Sequence, residues 1–184
     1  MTRRDDALDA ALRLFAQQGY AATTTAQIEA AMGLTAGAGG LFRHVKSKQE
    51  LLEGIIERAY DRPQDPPKGP FRSAADALVQ AVLLDVDRHP DLWRLLLREG
   101  RSLPIDMDAV YERLVQPSFD QCIDFMRQHG GDVPDLRERV MAGVSALLYL
   151  RISQWSYGRT PAGVDEAAFR RVVEELLAGV AAHA

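Results

Sequence analysis

Four glycines fall within eight residues at the start of the segment Gly33–Leu52, GLTAGAGGLFRHVKSKQELL, and Arg43, His44, Lys46 and Lys48 follow them. Glycines beside cations suit two kinds of phosphate recognition. In one, a Gly-rich loop after a buried strand cradles the phosphates of a nucleotide. In the other, a basic helix after a tight turn lies in a DNA groove. The nucleotide reading fails on both pattern and context. Gly37-x-Gly39 puts Phe42 where the third glycine belongs, Gly40 is followed by Leu41 rather than lysine, and the residues before it read as helix. The DNA reading fits a helix over 24–32, a turn at Gly33-Leu34-Thr35, and a second helix reaching about Val45. Leu41 and Val45 then face inward at i and i+4, and Gly40, Arg43 and His44 face outward. Arg43 is the best equipped for base readout, because its fork matches guanine O6 and N7. A glycine inside a helix costs about 1 kcal/mol relative to alanine. The regular helix is therefore expected to start near Gly39 or Gly40, with the earlier glycines forming an extended turn that lets backbone approach DNA. The plainer alternative is a surface loop followed by a solvated basic face.

Little else in the chain offers chemistry. Cys122 is the single cysteine, which rules out an intrachain disulfide and fits a reducing cytoplasm. His44, His89, His129 and His183 lie far apart, without the spacing of metal ligands. No paired carboxylates or nucleophile triad can be argued from spacing, so the chain is read as no enzyme, with no cofactor and no metal. The N-terminus has no apolar signal core, and no apolar run approaches the ~20 residues of a membrane span. A cytoplasmic protein without a membrane partner is expected. The net charge is −4, yet residues 1–48 hold six Lys/Arg against four Asp/Glu, a local +2 beside −6 in the remainder. That asymmetry points to an anion-binding head on an acidic body.

The elements that position this head read as helices throughout. Leu8, Leu12 and Phe15 keep helical spacing, Asp5 and Asp6 suit a first turn, and Gly19 is a stop. Thr24 with Gln27, and Ser47 with Glu50, have the spacing of capping boxes. Four prolines in DRPQDPPKGP, residues 61–70, mark the seam between head and body. Five body helices are expected near 71–88, 91–99, 105–128, 135–157 and 164–182, with Pro117 kinking or splitting the third. The fold class is therefore all-α, about nine helices in total. It divides into a helix-turn-helix domain over 1–48 and a helical domain over 49–184.

The first sixty residues resemble the TetR-like transcriptional regulators. The resemblance rests on Phe15, Gly19, Tyr20, Thr24, Thr25, Ile28, Gly33, Leu34, Thr35, Leu41, His44, Lys48 and Leu51, which fall in order within residues 4–59. It implies phosphate contacts from Thr25 and Thr35 at helix starts and from Lys48, with Lys46 beside it. It also implies a groove-facing segment of Gly37, Gly39, Gly40, Arg43 and His44. The chain departs from the family pattern at Glu29, where a small residue is usual, and at Phe42 and Val45. A glycine turn two residues longer than the commonest spacing is a further departure. These differences bear on how the two helices cross.

The resemblance further implies a homodimer paired through the last two helices, and an effector pocket in the body. Broad apolar stripes support the pairing: Val140, Val144, Leu147, Leu148 and Trp155 on one helix, and Phe169, Val172, Val173, Leu176, Leu177 and Val180 on the next. Val144, Leu148, Phe169, Val173, Leu176, Leu177 and Val180 are the interface candidates. Trp93, Phe119, Cys122, Met126, Tyr149, Arg151 and Trp155 are the pocket candidates, each with core filling as the plainer reading. Arg151 shares a stripe with Leu147, Leu148 and Trp155, where an unpaired charge is costly. An acid across the dimer is the favoured partner, and an anionic effector the other. The sequence thus reads as a ligand-responsive regulator, a repressor, that binds a pseudo-palindromic double-stranded DNA operator and is released by a small-molecule effector. The alternative is a helical ligand-binding or protein-interaction module that does not read a DNA sequence.

Overall fold

Thr2 begins the first helix by reciprocal capping: its hydroxyl accepts from the Asp5 amide at 3.2 Å, and the Asp5 carboxylate accepts from the Thr2 amide at 2.8 Å. In this computed structural model, which describes residues 2–35, 45–61 and 68–179, that helix is α1, Arg3–Gln18. It stops at Gly19, whose φ of +98° few residues with a side chain adopt. α2, Thr25–Ala31, carries the expected capping box of Thr24 and Gln27. α3, Lys48–Tyr60, starts as expected from Ser47, whose side chain accepts from the Glu50 amide at 3.0 Å, but the Glu50 carboxylate accepts the Lys46 amide at 2.7 Å instead of closing a box on Ser47. α4, Ala74–Arg88, and α5, Pro90–Glu99, are separated by His89.

Pro117 has the effect its chemistry requires. It has no N–H to give to the carbonyl four residues back, and its ring crowds that carbonyl. The single helix expected over 105–128 is divided into α6, Met107–Val110, a π turn at Tyr111–Val115 and α7, Gln116–His129. Wide π turns of this kind typically interrupt α-helices. α8, Leu136–Tyr157, and α9, Glu166–Leu177, complete the described elements. α9 ends before the 182 expected, at Leu177, with Gly179 at a φ of +71° just beyond it. All described regular elements are helical, and among the described residues no helix is long and apolar enough to cross a membrane.

The chain forms two compact units that do not follow a division at residue 48. The first is Met1–Pro63 with Pro90–Leu114, so it takes in α3, α5 and α6 as well as the first two helices. Phe15, Ile28, Leu51, Leu52, Ile55, Leu92 and Leu95 fill its core. Fully burying a side chain of this size stabilises by roughly 1.5–3 kcal/mol. α5 joins this core because Leu92 and Leu95 lie on one stripe, at i and i+3. Val45 is buried in the same core, as its spacing from Leu41 implied. The second unit, Gln64–His89 with Val115–Ala184, packs α4, α7, α8 and α9 around Leu78, Leu83, Met126, Val140, Leu147 and Leu177. Gly143 on α8 lets α9 lie close: a Cβ there would stand 3.2 Å from Leu177 Cδ2 and 3.3 Å from Val173 Cγ1.

Candidate nucleic-acid interface

α2 is only seven residues long, so its own hydrogen bonds cannot hold it in place. It is placed by the turn before it, Gly19–Thr23, and by Ile28, which is fully buried. Thr23 is buried and its hydroxyl donates to the Gly19 carbonyl at 2.7 Å, closing the turn on itself. Gln18 Nε2 then donates to the Thr23 hydroxyl at 3.2 Å and to Gln27 Oε1 at 3.1 Å, tying the end of α1 to α2.

On this frame the expected DNA contacts fall as follows. Thr25 is half-buried in the first turn of α2, and Thr35 and Lys46 are exposed. Gly37, Gly39, Gly40, Arg43 and His44 lie outside the described residues, as do Leu41 and Phe42. Lys48 has a second occupation. Its Nζ donates to the carbonyls of Tyr20, Ala21 and Thr23 at 2.8, 3.4 and 2.9 Å, and it sits 4.3 Å from the Tyr20 ring centroid. Its three donors are thus spent on the α1–α2 turn, although its charge meets only neutral groups there. Tyr20 itself packs edge-on to Phe15, with ring centroids 5.1 Å apart, and burial is the main cause pushing its phenol pKa up. Glu29 is buried at 1% exposure, and its carbonyl accepts the amides of Met32 and Leu34 where α2 ends.

Two residues that the sequence did not single out hold the same turn from α5. Glu99 Oε2 accepts the Tyr20 amide at 2.9 Å, and Arg98 Nη2 donates to the Phe15 carbonyl at 3.2 Å. Both partners lie about eighty residues away along the chain, so no local periodicity could have revealed them.

The second unit does not gather the pocket candidates into one place. Trp93 belongs to the first unit, on α5, where its indole Nε1 is buried without a hydrogen-bond partner among the described residues. Met126 is fully buried in the second core, with Phe119 and Cys122 packed against it. Burial, with Asp85 nearby, pushes the Cys122 thiol up to about 11, so it is protonated at neutral pH. Trp155 is half-buried, and Tyr149 stands 57% exposed on the outer side of α8. Arg151 makes the ion pair that its position demanded, but the acids come from its own chain rather than from across a dimer. Its Nε and Nη2 grip Asp87 at 2.7 and 3.0 Å, and its Nη1 reaches Gln154 at 2.8 Å and Glu166 at 3.2 Å. Arg170 also bonds Glu166. Burial opposes the charge of Glu166, but hydrogen bonds from Gln154, Arg170 and Arg151 outweigh it and hold the carboxyl down to about 2.

The interface candidates divide in the same way. Val173 and Leu177 are buried in the core of their own unit, against Gly143, which leaves them nothing to offer a partner. Val144 and Phe169 are half-buried on that core, and Leu148 and Leu176 are half-buried. Val180 lies outside the described residues. The large apolar groups that reach solvent on α8 and α9 are Met141, Tyr149, Tyr157 at the end of α8, and Val172. Neighbouring residues on a helix point about 100° apart, and the sequence alone could not say whether Val172 or Val173 faced out.

Residues 7–55 match the model of the bacterial regulatory proteins of the tetR family. The chain is 32% identical over 122 residues to a nucleoid occlusion factor, SlmA, of Photobacterium profundum, covering 62% of this chain and 60% of that protein. It is 28% identical over 111 residues to the HTH-type transcriptional repressor DrrR1 of Streptomyces coeruleorubidus, covering 58% of this chain and 40% of that one. The chain thus spans between two fifths and three fifths of the length of these relatives. In fold it is similar over its full length to a crystal structure of a tetR-family regulatory protein from Rhodococcus RHA1, with a TM-score of 0.66 at 23% identity.

Proposed function

We propose, from the match of residues 7–55 to the tetR family of bacterial regulatory proteins, that this chain is a regulator of that family and binds a pseudo-palindromic DNA operator as a homodimer. A small molecule in its helical body releases it, and its sign is that of a repressor. One observation carries the reading: the segment that matches the family is the same α1–α2–α3 head that leaves Thr35, after α2, and Lys46, before α3, exposed. Arg43, on the segment after the turn, is the side chain for base readout. Met141, Tyr149 and Val172 form the face for a second copy, joined by the half-buried Leu148 and Leu176. Two heads on one such bundle read half-sites about 34–36 Å apart. Release by an effector requires that it bind one arrangement of the heads more tightly than the other. The relative named a transcriptional repressor supports the sign.

Selection of duplexes from a random DNA pool by the full-length protein tests the reading. Two inverted half-sites are expected in the selected fragments, which a solitary head would not produce. Arg43→Ala then weakens binding to the selected duplex by about 1–3 kcal/mol and relaxes one base position, with little change on random DNA. Selection of no common sequence removes the proposal.

A second reading is a helical module that binds ligand or protein without reading an operator. The buried Glu29 favours it, because a carboxylate there replaces the small residue expected between the two helices of the head. The commitment of the Lys48 donors to the α1–α2 turn favours it too. Binding that follows salt but not sequence separates this reading from the first.

A further inference from the structure

We propose that Glu99, on α5 and well beyond the segment that matches the family model, is a positioning residue that sets where the start of α2 lies for DNA. The inference rests on the DNA-binding reading for its consequence, not for its geometry. α1 has no basic residue in its last turn, although the free carbonyls at a helix end attract positive charge. Arg98 supplies that charge from α5, at the Phe15 carbonyl. Glu99 lies beside it: Oε1 accepts from Arg98 Nη2 at 2.8 Å and Nε at 3.2 Å, and Oε2 accepts the Tyr20 amide at 2.9 Å. The pair therefore grips the turn at both Phe15 and Tyr20.

The grip is fixed at its base. The Glu99 carbonyl accepts the Ser102 hydroxyl at 2.8 Å and the Leu103 amide at 3.1 Å, where α5 tightens into a 3-10 turn over Gly100–Ser102. It also depends on Gly19. A Cβ there would stand 2.7 Å from Glu99 Oε1, so the glycine makes room for the carboxylate as well as taking a positive φ. On the other side of the turn Lys48 holds the carbonyls of Tyr20, Ala21 and Thr23. A carboxylate on the N–H and an ammonium on the carbonyls clamp one short loop. That loop leads directly into Thr24, the cap of α2. Hydrogen bonds to charged groups are the strong ones, and this one joins α5 to α2 through the few residues between Tyr20 and Thr24.

Three variants of the full chain test it. Glu99→Ala removes the acceptor. Glu99→Asp keeps the charge but is one methylene too short. Glu99→Gln keeps an oxygen at the right reach. In the free protein, amide exchange at Tyr20 is expected to quicken at least about tenfold in the alanine and aspartate variants, and to stay within about threefold of wild type in glutamine. On a duplex selected by the wild type, the same two variants should bind at least about tenfold more weakly, while their salt-dependent binding to random duplex is unchanged. A general loss of stability would weaken both duplexes alike and would not be rescued by glutamine. Unchanged exchange at Tyr20 overturns the clamp. Faster exchange with unchanged affinity for the selected duplex overturns the positioning role. If the wild type selects no duplex, the DNA reading fails, and the exchange measurement alone decides the clamp.

Discussion

Lys48 in the first unit and Arg151 in the second are both cations that the sequence offered as ligand contacts, and both are engaged by the chain itself. Their partners differ in kind. Lys48 donates to three neutral carbonyls, so its positive charge is not cancelled. Arg151 lies against Asp87 and Glu166, with Arg170 beside them, so the cluster carries two charges of each sign. A phosphate near α2 is still attracted by Lys48. An anionic effector at Arg151 would have to displace two carboxylates, which makes that role unsupported by the geometry.

The largest effect that would sharpen this contrast is on stability in the second unit. Arg151→Ala leaves its two acids without their central cation. Breaking a buried pair costs about 3–5 kcal/mol, and the exposure of Asp87 and Glu166 reduces that to about 2–3 kcal/mol here, measured by chemical denaturation. If the variant is as stable as wild type, the cluster is a surface feature and the contrast with Lys48 disappears. Lys48→Ala comes next, with a loss of about 1–2 kcal/mol because three carbonyls lose a charged donor. It should also weaken binding to random duplex, since a phosphate contact carries no sequence information, and weaken the selected duplex further, because the loop into α2 loses its ammonium. A variant that loses stability while DNA binding is untouched would make Lys48 a clamp only.

The smallest effect is in the acid range. The Glu166 carboxyl is held at about 2, below its ordinary 4.5, so the folded chain binds fewer protons there than the unfolded chain. Its contribution to stability is complete above about pH 4.5 and is lost as the pH falls toward 2. Glu166→Gln should flatten the stability profile between those values, as followed by denaturation at a series of pH values. An unchanged slope would show that Glu166 is not held by Arg151 and Arg170.

Some of this was set by residues close together in the chain. The caps at Thr24 and Ser47, the stop at Gly19 and the division at Pro117 all depend on atoms within a turn or so of chain, and the sequence states them directly. The match of residues 7–55 to the tetR-family model rests on the same local order of residues. What the tertiary structure decided is which partner each charge found and which side of each helix faced out. Lys48 meets a carbonyl 28 residues away, Glu99 an amide 79 away, and Arg151 an acid 64 away. Val173 turns inward where Val172 turns out. A helical repeat fixes which residues share a stripe, but the crossing of helices distant in the chain determines what that stripe meets.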